Sequence, residues 1–78
     1  MTSDEADQRI SLSRRTLAAY IRGIQRTGSY PLNEMVLVVD EIAKLELIAE
    51  EHPSKAVTVI ELVTWWRAFQ SNLKSKMN

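Results

Sequence analysis

The chain has 78 residues, no cysteine, and ten basic against ten acidic side chains. That length admits one domain around one small core, and the missing cysteines exclude disulfides, thiolate metal sites and cysteine nucleophiles. A net charge of zero gives no overall field that would draw the chain to nucleic acid or anionic lipid.

The charges are, however, sorted along the chain. Residues 1–8 carry −3, residues 9–33 carry +5 with five arginines and no acid, residues 34–51 carry −5, and residues 52–78 carry +3. Any electrostatic role must come from this partition. Gly28-Ser29-Tyr30-Pro31 and His52-Pro53-Ser54 are the two breaks in the pattern, and they hold the only two prolines. The composition, 45% hydrophobic, suits a folded domain. The expectation is all-α: a disordered acidic tail over residues 1–10, then a single three-helix domain over residues 11–78. The polar, acidic start has the wrong chemistry for a secretory signal. No apolar run approaches the roughly 18 residues that cross a bilayer. Together with the absent cysteines, this points to a reducing, cytoplasmic setting.

The first helix is predicted over residues 13–27, with Ser13 as N-cap and Gly28 as a left-handed C-terminal cap. At about 100° per residue, Leu17, Tyr20, Ile21 and Ile24 share one face, and Arg15, Ala19, Arg22 and Arg26 share the opposite one. Gly23 interrupts that outer face at a cost of ~1 kcal/mol against alanine.

The second helix is predicted from near Pro31 to Glu51. Its main apolar stripe is Met35, Val38, Val39, Ile42, Leu45 and Ala49, flanked by Val36, Ala43 and Leu47; Leu37 and Ile48 lie nearly opposite. The third is predicted from Lys55 to Lys76, with Ser54 as N-cap. Val59, Leu62, Val63, Trp66, Phe69, Leu73 and Met77 form its stripe, while Val57, Ile60 and Trp65 lie off it. Lys74 and Lys76 complement the negative end of its dipole.

Arg15, Arg22 and Arg26, supported by Arg14, are the candidate binding residues. Guanidinium groups grip carboxylate or phosphate in bidentate fashion, so the face suits an acidic protein surface or DNA. The plain alternative is a solvated face, or one neutralised by Glu41, Glu46 and Glu50 of the second helix. Exposed pairs of that kind contribute only ~0–1 kcal/mol each.

The stretch Ser11-Leu12-Ser13-Arg14-Arg15-Thr16-Leu17-Ala18-Ala19-Tyr20-Ile21-Arg22-Gly23 resembles the recognition helix of phage-repressor-type helix-turn-helix proteins. The resemblance implies that Ser13, Arg14, Arg15 and Ala19 face a DNA major groove and that Arg22 and Arg26 lie nearer phosphates. Asp4 to Ile10 would then be the preceding helix. The turn lacks the glycine usual in that family.

The apolar residues left over from the three stripes point to self-association, with Leu37, Ile48, Ile60 and Trp65 as candidates and a two-fold homodimer as the commonest closed form. Trp66 belongs to the core stripe, and its neighbour Trp65 points about 100° away.

Nothing in the chain has the pattern of catalytic chemistry. His52 stands alone, so no zinc site forms around a second histidine, and no phosphate-binding glycine loop is present. No cofactor, metal, membrane or small-molecule substrate is expected. The sequence therefore favours a non-enzymatic regulatory or adaptor protein that self-associates through its second and third helices. Its arginine face would dock an acidic macromolecular surface, and a DNA-binding regulator is the alternative.

Overall fold

The computed structural model describes residues 1–77 and is all-α, built from α1 (Ser3–Thr27), α2 (Met35–Glu51) and α3 (Ala56–Met77). Short 3₁₀ turns at Leu32–Glu34 and Pro53–Lys55 lead into α2 and α3. Each helix packs on the other two, so the cross-section is a triangle with one core at its centre.

Residues 1–10 are not a disordered tail. Thr2 caps α1: its hydroxyl accepts from the Glu5 amide at 3.1 Å, and the Glu5 carboxylate accepts from the Thr2 amide at 3.0 Å. This reciprocal capping box satisfies two otherwise free donors and holds the Glu5 carboxyl below the usual carboxylate range. Asp4 and Glu5 fall in the first turn, where the helix dipole favours acids. Ile10 and Ala6 continue the apolar stripe of Leu17 two and three turns further back, and both are buried. Lys55 Nζ to Asp7 Oδ1 at 2.7 Å and His52 Nε2 to the Met1 carbonyl oxygen at 3.1 Å tie this end of α1 to the α2–α3 connection.

Ser13 is consequently a mid-helix residue and not an N-cap. It is fully buried, and its hydroxyl accepts from the Trp66 indole N–H of α3 at 2.9 Å. Around it, Tyr20 stacks on Phe69 with centroids 5.6 Å apart, and Trp66 meets both rings edge-on. Burial, then the charge of Glu34, raises the Tyr20 phenol above its ordinary pKa and keeps it neutral. At the other end of α1, Gly28 takes φ 71° and its amide bonds the Ile24 carbonyl, the left-handed cap the sequence predicts.

The stripes of α2 and α3 supply the rest of the core: Val38, Ile42, Leu45 and Ile48 from α2, and Val59 through Leu73 from α3. Two stripe members differ from expectation. Val39 is 51% exposed and Met77 is exposed at the end of α3. Ser54 lies inside the 3₁₀ turn that Pro53 opens and does not cap α3.

The indole–hydroxyl bond is buried, so removing its acceptor strands the Trp66 N–H. The Ser13→Ala variant is expected to lose about 1–3 kcal/mol of stability, measured by urea or thermal unfolding. Combined with Trp66→Phe, which removes the donor as well, the loss should fall short of the sum of the two single changes. Strict additivity would show that the bond contributes nothing.

Candidate functional site

The core-facing residues of α1 are Ala6, Ile10, Ser13 and Leu17, with Tyr20 and Ile24 partly buried behind them. Arg15, Arg22 and Arg26, spaced by seven and four residues, therefore point away from the bundle. Arg14 sits nearer α3. All four are exposed, and among the described residues none has a carboxylate within 4 Å.

Arg9 behaves differently because it lies at the α1–α2 seam. Its guanidinium donates to Glu41 Oε2 at 2.7 Å, with both side chains largely buried. The second oxygen, Glu41 Oε1, is buried with no hydrogen-bond partner, so Arg9 alone compensates that carboxylate. Glu46 is exposed and pairs with Arg67 of α3 at 3.4 Å, a surface contact worth little. Of the acids that could neutralise the arginine face, Glu41 and Glu46 are thus engaged by other cations. Glu50 has no cation within 4 Å among the described residues.

Gly23, between Arg22 and Arg26, has open space where a Cβ would stand and no positive φ. Packing does not require a glycine there.

The four self-association candidates end in different surroundings. Ile48 is 2% exposed inside the core and is unavailable to a second copy. It stands two turns after Glu41, which bonds Arg9, so it lies on the side of α2 that faces α1, and the start of α1, expected as a disordered tail, contributes Ala6 and Ile10 to the same core. Leu37 is exposed beside Thr16 and Tyr20 at the α1–α2 cleft. Ile60 is exposed on the outer side of α3 with Val57. Trp65 is 66% exposed and lines a groove between α1 and α3.

Sequence reasoning missed the most continuous apolar line on the surface. Val36, Val39, Ala43 and Leu47 recur at helical spacing along the outward side of α2, and all are exposed. They form a second amphipathic face, the reverse of the buried one, and the signal was the surplus of apolar residues around this helix.

The α1–α3 groove has a volume of about 400 Å³. Leu17 and Leu62 form its base, Ala18, Ile21 and Trp65 its apolar walls, and Arg14 and Glu61 its charged edges. Arg22 is one turn beyond Ala18 on the same helix, so the groove and the arginine face adjoin.

A helix-turn-helix does not form. Residues 3–27 are one uninterrupted helix, with no turn between Ile10 and Ser13, and Ser13 is buried where the resemblance places it in a DNA groove. Among the described residues, no helix is long and apolar enough to cross a membrane. No protein-family model, curated protein or solved structure matches the chain.

These environments separate the arginines by their effect on stability. Arg9→Met is expected to cost about 2 kcal/mol, because it leaves the Glu41 carboxylate buried and uncompensated. Arg22→Ala should change stability by less than about 0.5 kcal/mol, and Gly23→Ala should add about 0.4–1 kcal/mol. Chemical denaturation of the three variants checks the order; equal losses for Arg9→Met and Arg22→Ala would contradict it.

Proposed function

We propose that this protein is a small, non-enzymatic adaptor or regulatory protein, suited to a reducing cytoplasm. It self-associates through outward apolar residues of α2 and α3, and it presents Arg15, Arg22 and Arg26, with Arg14 in support, to an acidic macromolecular surface. The observation that carries this reading is the contrast within one helix. Arg9 is spent on Glu41, whereas the four later arginines of α1 are exposed and, among the described residues, have no carboxylate within 4 Å. Arginine retains its charge and its fork of donors in such a position, and it is among the residues enriched at interfaces.

The self-association reading rests on Val36, Val39 and Leu47 of α2 and on Ile60 and Trp65 of α3, all exposed. Tryptophan is among the residues enriched at interface hot spots. Among closed oligomers a two-fold homodimer is the commonest form, and the order of this one is set by which surfaces meet. DNA binding by a helix-turn-helix is not part of this reading, since α1 runs through the position of the turn.

Capture from a native extract by the purified chain, with and without nuclease, tests the docking role. The wild type is expected to retain an acidic protein whatever the nuclease treatment, and the double charge reversal R15E/R22E should release it. That variant should also unfold within about 0.5 kcal/mol of the wild type. Retention that survives charge reversal, or that disappears with nuclease, contradicts the proposal.

A further inference from the structure

The chain carries two surfaces that complement each other and lie on opposite sides of the bundle. One is the outward face of α2, an apolar line of Val36, Val39, Ala43 and Leu47 that ends at Glu50 and Glu51. These two acids occupy the last turn of α2, which holds no basic residue. Carboxylates at the negative end of a helix dipole are unfavourably placed. Among the described residues, no cation lies within 4 Å of either. Within its own subunit the face is left with unburied apolar area and uncompensated negative charge.

The other surface is the α1–α3 groove, apolar at Ala18, Ile21 and Trp65 and edged by Arg14 of α1 and Glu61 of α3, with Arg22 one turn beyond Ala18. Two arginines against one carboxylate leave a positive surplus here, and among the described residues no carboxylate lies within 4 Å of Arg14 or Arg22. In a triangle of three mutually packed helices, the groove between two faces away from the outer side of the third.

Resting on the reading that the arginine face meets an acidic surface, we infer that one such surface is α2 of a second copy. The outward face of one subunit seats in the α1–α3 groove of the next. Apolar meets apolar, and the acidic end of α2 meets arginines rather than solvent.

The symmetry follows from the placement. Two different patches on opposite sides of a rigid subunit cannot both be satisfied in a two-fold pair. The contact is heterologous, and it propagates into a ring or an open chain. A two-fold dimer through α2 would bring Glu50 and Glu51 no cation from the groove, and it would leave Trp65 exposed.

Sedimentation of complementary variants tests this. The socket variant R22E/W65A keeps an intact α2 face, and the knob variant A43K/L47K keeps an intact groove. All four positions are exposed, and circular dichroism checks that each variant remains folded. If either does not fold, the charge-neutralising pair R14Q/R22Q and E50Q/E51Q replaces them.

Wild type is expected to form species larger than a dimer. Each variant alone should self-associate on the order of 30-fold or more weakly. Mixed, they should form a 1:1 pair that grows no further, at twice the 8.9 kDa chain mass, because only one groove and one α2 face remain competent. A wild-type dimer whose mass neither variant alters, or variants that lose association and fail to pair when mixed, overturns the head-to-tail contact alone. A wild type that stays monomeric at millimolar concentration overturns it together with the self-association reading. Capture of an acidic partner by the arginine face is decided separately by the extract experiment.

Discussion

The Trp66 indole N–H and the Ser13 hydroxyl set the rotation of α1 about its own axis. Any other setting leaves a buried indole donor without an acceptor, at a cost of about 1–3 kcal/mol. Serine is small enough to let the helices approach around Trp66 while still offering an oxygen. The Tyr20, Trp66 and Phe69 rings close around the same point. Once Ser13 faces inward, the 3.6-residue repeat decides the rest: Ala6, Ile10 and Leu17 follow it into the core, and Arg15, Arg22 and Arg26 are carried outward.

That rotation also divides the arginines by role. Arg9 arrives at the seam with α2, where it holds the largely buried Glu41 at 2.7 Å. The later arginines of α1 arrive on the open side and gain no carboxylate partner among the described residues. The partition of charge visible along the chain therefore does not collapse into internal ion pairs. Had Glu41, Glu46 and Glu50 met the outer arginines, the face would be a neutral structural seam. Instead, α1 keeps its excess positive charge and the last turn of α2 keeps its excess negative charge, on surfaces that each adjoin exposed apolar residues. Such a pattern suits binding better than stability, since exposed like charges along one helix contribute little to folding.

Much of this architecture was legible in the residues. The three apolar stripes, the breaks at Gly28 and Pro53 and the left-handed cap follow from periodicity and backbone chemistry. The start of α1 was legible too, in Thr2 and Glu5 at capping-box spacing and in Ala6 and Ile10 in phase with Leu17. Its acidity favoured a disordered reading, although acids in a first turn are what the dipole prefers. Ser13 misleads because serine favours N-caps, and only the distant Trp66 reveals it as a buried acceptor. Ile48 and Val39 exchange places relative to expectation for a related reason. The periodicity of α2 gives two apolar sides, and which of them is buried depends on where the ordered start of α1 lies. That is a tertiary fact, absent from the pattern of α2 itself.

Hydrogen exchange of the two indole N–H groups, followed by NMR in dilute solution, tests the setting of α1 most directly. The Trp66 indole is expected to exchange only through global unfolding, alongside the most protected amides of α3, while the Trp65 indole exchanges freely. Comparable rapid exchange at both indoles would mean that Ser13 does not hold Trp66, and the outward placement of the arginines would lose its physical basis.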